Sequence, residues 1–254
     1  MGTLHTSLIL LAPLFFGVAL LYSSVGFGGG SSYIALMVLC SFPLHQVAPV
    51  ALICNLAVVV GSGFHFIRHK LVHWRVLMAF LMTSIPCAYL GAIIPTNPFV
   101  FRLILAGILV LSGVALLLEK KRGSLMEQVP NRKKIWKLGP ALGSAIGLVS
   151  GMVGIGGGIL LSPILHRLKW LSPKKIAAIS CLFILCNSAA GLMGKLSQGN
   201  PLHAGLVILP LSVFVGGQIG SYVSITWIPQ LWVRRLTGGV VLWAAIQLLE
   251  TAFK

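Results

Sequence analysis

Eight apolar runs, near 8–38, 45–67, 72–94, 98–118, 137–165, 174–193, 201–223 and 229–250, leave little of this chain able to face water. Several approach or exceed the ~20 residues that carry a helix across a bilayer. Charged residues make up only 9% of the sequence and hydrophobic ones 57%, whereas a soluble domain is roughly 25% charged. A soluble fold of this size cannot cover its surface with so little charge. The expected class is therefore an all-α polytopic membrane protein, whose backbone polar groups are satisfied within helices.

The few charges are one-sided. Nineteen Lys and Arg face three acids, Glu119, Glu127 and Glu250, for a formal charge of +16. The basic residues cluster in linkers between apolar runs, where positive-inside sorting puts them. Membrane topology, not a nucleic-acid partner, then explains the charge. Anionic lipid head groups on the cytoplasmic face are the expected macroscopic partner, and the net field favours anions near that face. Cys40, Cys54, Cys87, Cys181 and Cys186 all lie in or beside apolar runs with no CxxC pair. They read as small buried hydrophobes, not as a disulfide framework. The start of the chain lacks the basic n-region and cleavage site of a secretory signal, so the run from Leu8 is expected to stay in the mature protein.

The first and fifth runs carry near-copies of one motif, Gly26-Phe27-Gly28-Gly29-Gly30 and Gly154-Ile155-Gly156-Gly157-Gly158. A straight helix of about 30 residues would be ~45 Å long, more than a bilayer core needs. Each run is better read as a broken element, either a tilted, unwound helix or a re-entrant pair of half-helices. Charge placement separates these options. If all eight runs cross, the linkers 66–75 (Arg68, Lys70, Arg75) and 166–175 (Arg167, Lys169, Lys174, Lys175) fall on opposite faces. If runs one and five dip in and return, both share a face with linker 119–136 (Lys120, Lys121, Arg122, Arg132, Lys133, Lys134) and with Arg234 and Arg235. The other face keeps His45, Lys195, His203, the turn at 95–98 and terminal groups including Lys254. The expectation is six full crossings with both termini outside the cytoplasm. Two inverted repeats, 1–118 and 137–254, would be joined by the basic cytoplasmic linker 119–136. Each would contain a Gly-broken re-entrant or discontinuous helix followed by three transmembrane helices.

A glycine-rich break permits positive φ and leaves backbone N–H groups exposed where the next half-helix begins. Those groups and the helix dipole favour an anion. The candidate binding residues are Gly28, Gly29, Gly30, Ser31 and Ser32 at the first break, and Gly156, Gly157, Gly158 and Ile159 at the second. Ser23 and Ser24 precede the first motif, Ser150 precedes the second, and Ser162-Pro163 follows it. Simple turns or helix packing are the bland alternative; repetition at equivalent places favours a site. A Walker loop is excluded because no Lys-Ser or Lys-Thr follows, and a dinucleotide fingerprint lacks its βαβ context and acid. Asn55 and Asn187, the latter with Ser188, are intramembrane amides that either bind substrate or bond helix to helix. Ser180 and Thr83 are weaker candidates, and Gln218 sits in a small-residue segment suited to tight packing. His45 and His65 read as surface histidines. No Asp or Glu lies at the centre of an apolar run. Coupling to H⁺ or Na⁺ would therefore rely on carbonyls, hydroxyls and amides, or on a proton travelling with the anion. No cofactor or metal is implied, and no HExxH, carboxylate pair or Ser/His/Asp set suggests an enzyme. Broken helices also line pores, so an anion channel stands beside a carrier.

The chain resembles the sulfite exporter TauE/SafE family of membrane permeases. The resemblance rests on Val25-Gly26-Phe27-Gly28-Gly29-Gly30, on Val153 to Leu160 with Ser162-Pro163, and on Asn187-Ser188-Ala189-Ala190-Gly191. At Ile179-Ser180-Cys181 the chain departs from the family's usual Thr-Ser. The resemblance implies secondary transport of a small sulfur-containing or organic anion (sulfite, a sulfonate or sulfoacetate) across the bacterial cytoplasmic membrane. It leaves direction, substrate and oligomeric state open. A small-carboxylate carrier is the alternative.

Overall fold

The computed structural model describes residues 2–23, 26–40, 42–95, 97–118, 131–199 and 204–226, with 238, 239, 242, 243, 245, 246, 249 and 250 nearer the C-terminus. Ser24, Val25, most of linker 119–136, His203, Arg234, Arg235, Lys254 and most of the last apolar run lie outside the described residues. Nine α-helices are described: α1 (Gly2–Ser23), α2 (Gly30–Leu39), α3 (Leu44–Arg68), α4 (Trp74–Ile93), α5 (Pro98–Leu118), α6 (Arg132–Val153), α7 (Gly158–Leu168), α8 (Pro173–Leu196) and α9 (Ile208–Thr226). A short 3₁₀ turn (Ala204–Val207) leads into α9. Both glycine motifs interrupt helix, between α1 and α2 and between α6 and α7.

Small residues set the packing. On α6, Gly139, Gly143, Gly147 and Gly151 recur every fourth position and so form one stripe. A Cβ on them would run into Ala79, the Phe80 carbonyl, the Ser84 carbonyl and the Ala88 carbonyl of α4 in turn. The order shows that α6 and α4 run parallel at backbone contact. Thr83 adds a 2.8 Å hydrogen bond from its hydroxyl to the Pro140 carbonyl. α9 packs on α1 in the same way, with Gly216 against the Phe16 carbonyl and Gly220 against the Leu20 carbonyl. α3 and α8 run antiparallel. Leu182 approaches Gly63, the Cys181 thiol points at the Val59 carbonyl at 3.5 Å, and Leu52 approaches Gly191.

These contacts obey an exchange relation. Gly26 of the first motif meets Ala177 of α8, and Gly154 of the second meets Ala48 of α3. The pairing of Gly91 (α4) with the Leu148 carbonyl (α6) is repeated by Gly220 (α9) with the Leu20 carbonyl (α1). The packing is thus repeat-like at these positions, and α3 and α8 run antiparallel.

The same contacts bring the N-terminal ends of α4, α6 and α8 and the C-terminal end of α3 to one end of the bundle. Arg68, Lys70 and Arg75, Arg132, Lys133, Lys134 and Lys137, and Arg167, Lys169, Lys174 and Lys175 therefore gather there. α6 starts at this end, and α7 returns to it through the turn before α8. His45 and Lys195 lie at the other end.

Among the described residues, three helices are long and apolar enough to cross a membrane: His45–Arg68, Trp74–Ile93 and Pro173–Leu196. The charge pattern anticipates six. These are runs two, three and six of the six expected crossings; in runs four and seven the apolar stretches found among the described residues are Phe99–Val114 and Ile208–Gly220, and most of run eight lies outside the described residues. The outward surface is oily, with Phe64, Met82, Leu111, Leu211 and Tyr222 exposed, while Tyr22, Tyr33, Phe15, Phe80 and Phe183 are fully buried. Apolar residues outside and aromatics around the breaks suit a lipid solvent.

Candidate functional site

The two breaks are built alike, apart from the first glycine, whose N–H bonds the Ser23 carbonyl (3.0 Å) at Gly26 and the Ser150 carbonyl (2.8 Å) at Gly154. The Phe27 N–H bonds the Tyr22 carbonyl (2.9 Å) and the Ile155 N–H bonds the Ser150 carbonyl (3.1 Å). Each is the six-residue closure of a helix C-terminus around a left-handed glycine, Gly26 at φ 82° and Gly154 at φ 88°. Gly29 (φ 84°) and Gly157 (φ 78°) then start the next helices. The Gly29 carbonyl accepts from Ser32 and Tyr33, and the Gly157 carbonyl from Leu160 and Leu161. Left-handed φ costs a side-chain-bearing residue about 1–2 kcal/mol, which explains glycine at these positions. The motifs part at Gly156, which is also left-handed (φ 80°) while Gly28 is not.

The N–H groups of Gly28, Gly29, Gly30 and Ser31, and of Gly156, Gly157, Gly158 and Ile159, have no hydrogen-bond partner among the described residues. Two helix N-termini with free donors therefore lie close together, because one side chain touches both. Asn55, fully buried on α3, donates from Nδ2 to the Ile155 carbonyl at 2.9 Å. That bond fixes the amide's orientation and turns Oδ1 toward Gly28 and Gly30, where a Cβ would collide with it. A Cβ on Gly156 would lie 3.0 Å from Asn55 Nδ2 and 2.5 Å from the Ser188 hydroxyl. Ile184 on α8 occupies the place equivalent to Asn55 and packs against Gly28, Gly156 and Gly158. One half supplies an amide to the junction and the other a hydrocarbon.

Four buried polar atoms near the junction have no partner among the described residues: Asn55 Oδ1, the Tyr33 hydroxyl, and the hydroxyls of Ser180 and Ser188. Each represents roughly 1–3 kcal/mol of desolvation that the fold does not recover internally. Such orphans mark a place where a ligand or water completes the bonding. Asn187 is different. Its Oδ1 accepts from the Ser84 hydroxyl (2.7 Å) and its Nδ2 donates to the Phe183 carbonyl (3.0 Å), so it ties α4 to α8. Ser32 pairs with the Tyr22 hydroxyl at 2.7 Å, and Ser31 also contacts it. Ser23 and Ser150 bond back to their own helices, at the carbonyls of Leu20 and Gly147. The Gln218 amide lies against Gly61 of α3. His65 stacks near His69 at the basic end, ring centroids 4.2 Å apart.

Sequence reasoning did not single out Tyr33, Tyr22 or Ser84. Tyr33 lies over Gly29, 2.9 Å from where a Cβ would stand, and stacks on Phe15 at 4.7 Å. Its signal was present: an aromatic one turn past the glycine that starts a half-helix. Ser84 had none, since its partner lies on a distant helix.

A helical membrane protein with two matched broken helices meeting at a buried polar junction belongs to the class that includes carriers and channels. A family model described as Sulfite exporter TauE/SafE matches residues 11–248, and the chain belongs to that family. It is 32% identical over 249 residues to Probable membrane transporter protein y4hK of Sinorhizobium fredii, covering 97% of this chain and 100% of the relative. It is 25% identical to Probable membrane transporter protein YunE of Bacillus subtilis, covering 80% and 83% of the two chains. It is 27% identical to Probable membrane transporter protein MJ0441 of Methanocaldococcus jannaschii, covering 84% of each. No solved structure matches. The chain is thus a multi-pass membrane transporter and not an enzyme.

Proposed function

We propose that this protein is a secondary transporter that moves a small sulfur-containing or organic anion, such as sulfite, a sulfonate or sulfoacetate, across the bacterial cytoplasmic membrane by alternating access. The observation that carries the reading is the meeting of two half-helix N-termini, both with free N–H groups, around Asn55. Opposed N-terminal dipoles and eight donors suit an oxyanion, and among the described residues no carboxylate lines the junction to repel one. Substrate oxygens bind the N–H groups at Gly28, Gly29, Gly30 and Ser31 and at Gly156, Gly157, Gly158 and Ile159. Asn55 and Ser188 orient the anion. Ser32 and Asn187 hold the surrounding helices through Tyr22 and Ser84. Membership of a family described as sulfite exporters supports sulfur as the central atom.

In this reading residues 1–118 and 137–254 form inverted repeats joined by the cytoplasmic linker 119–136, with both termini outside. The antiparallel course of α3 and α8 and the gathering of basic linkers at one end support it. That basic end faces the cytoplasm and its anionic lipids. Movement of one half against the other breaks the Asn55–Ile155 bond, and a proton or Na⁺ gradient drives the cycle.

The test is flux through purified protein in proteoliposomes, offering sulfite, sulfoacetate, taurine, sulfate and acetate under imposed pH or Na⁺ gradients. Saturable movement of a sulfur oxyanion is the expected result. Movement of acetate alone would replace the substrate class, and no flux from folded protein would remove the carrier reading. Turnover far above that of alternating access would indicate a channel.

A further inference from the structure

A cavity at the end of the bundle opposite the basic linkers is lined by His45, Ala48, Phe101, Met152, Lys195 and Gln198. We propose that it is a second, peripheral anion site, with Lys195 as its counter-charge, where a small anion with an apolar body waits before or after passage through the glycine junction. The inference rests on the carrier reading and extends it to one mouth of the pathway.

Three observations support it. First, Lys195 is half-buried in the last turn of α8, and among the described residues it has no acidic or hydrogen-bonding partner. With only three acids in the chain, a partly desolvated ammonium at this mouth has little to neutralise it except an incoming anion. Second, the rest of the lining divides by chemistry. Phe101, Met152 and Ala48 present hydrocarbon, while Gln198 is pinned by hydrogen bonds from its Nε2 to the Ala92 and Ile93 carbonyls (3.2 and 2.9 Å). A charged head and a short apolar tail fit such a lining; a bare inorganic ion uses only half of it. Third, the cavity lies beside the second glycine break. Ala48 touches Gly154, and Met152 lies in the last turn of α6 just before that glycine.

A labelling experiment tests this without relying on transport. His45→Cys is introduced into the full-length protein with the exposed Cys40 replaced by serine, reconstituted in phosphatidylcholine vesicles. The rates of modification by an anionic (sulfonatoethyl) and a cationic (trimethylammonioethyl) methanethiosulfonate are compared. In water a unit charge at a separation of ~7 Å changes local ion concentration about threefold for each sign, and His45 and Lys195 line one cavity, so Lys195→Gln should lower the anionic-to-cationic rate ratio about tenfold. Lys195→Arg should restore it, and sulfoacetate should slow labelling of the parent more than acetate does. An unchanged ratio in a folded Lys195→Gln protein would overturn the proposal. So would protection by added phosphatidylglycerol but by neither free anion, because the cavity would then hold a lipid head group. A normal ratio shift with protection, in protein that moves no anion, would refute the carrier reading and leave this site standing. Sulfur-anion flux with an unchanged ratio would do the reverse.

Discussion

If Asn55 is wedged between the two glycine breaks, a methyl group at Gly28 should harm the protein only while Asn55 is present. Gly28 does not have positive φ, so Gly28→Ala introduces no backbone strain of the left-handed kind. Its Cβ would instead collide with Asn55 Oδ1. To reach ordinary contact the amide must withdraw by roughly 1 Å, and the 2.9 Å bond to the Ile155 carbonyl does not survive that movement. Overpacking of this kind costs about 1–3 kcal/mol, and orphaning a buried carbonyl costs a further ~1–3 kcal/mol. Asn55→Ala alone loses the same bond but leaves room for the new methyl. The double variant should therefore match Asn55→Ala alone, so the two changes should couple by the whole cost of Gly28→Ala, about 2–6 kcal/mol.

Gly26→Ala is the control. Its left-handed φ of 82° keeps a penalty of about 1–2 kcal/mol whatever stands at position 55, because its neighbour is Ala177 and not Asn55. The measurement is the denaturant midpoint of detergent-solubilised protein for both cycles. Additivity within about 0.5 kcal/mol for Gly28→Ala with Asn55→Ala would show that the amide does not occupy this space, and the account of the junction would fail.

Four further outcomes are expected. Ser188→Ala removes a buried hydroxyl with no partner among the described residues, so it should hold or raise stability by up to about 1 kcal/mol while raising KM in flux assays; lost stability with unchanged KM would contradict its role. Asn187→Ala should lower the unfolding midpoint by about 1–3 kcal/mol with KM little changed, because it orphans Ser84. Gly147→Leu places a side chain on the Ser84 carbonyl where α6 and α4 touch, and should abolish a monodisperse gel-filtration peak. Gly107→Ala on α5, with nothing within 4 Å of the added carbon, should fold normally and gain up to about 1 kcal/mol.

Both breaks were legible in the sequence because glycine clusters inside apolar runs have few other uses. The gathering of the basic linkers at one end was legible too, since positive charge avoids one face of a membrane. The α6 stripe of Gly139, Gly143, Gly147 and Gly151 carried a four-residue signal that sequence reading passed over; its partner α4 could not have been read from it. The roles of the two asparagines were not legible. Asn55 and Asn187 look alike as buried amides, and only the contacts separate them. Asn55 reaches Ile155, one hundred residues away, whereas Asn187 is consumed by Ser84 and its own helix. Runs two, three and six stand as helices of span length, as their composition suggests, whereas the basic first turns of α6 were not legible as helix, because composition registers hydrophobicity and not where a helix begins.

The misalignment of the asparagines also bears on why two equivalent halves would make one site. In the register set by Ala48 with Ala177, Asn55 corresponds to Ile184 and Asn187 to Val58. The backbone at the breaks repeats closely, but the side chains packed on it do not. A symmetric pair of amides would have placed two carbonyl oxygens among the N–H groups, competing with an anion for the same donors. One amide and one isoleucine leave part of that donor set uncovered and give the junction a polar and an apolar side. A strictly symmetric site would bind a substrate in two equivalent orientations; this one favours a single orientation, with the oxyanion toward the free N–H groups and the Ser188 hydroxyl, away from Asn55 Oδ1, and any hydrocarbon toward Ile184. Ile184→Asn should therefore weaken anion binding despite adding a polar group, a result that a view of polarity as generally favourable to binding would not anticipate.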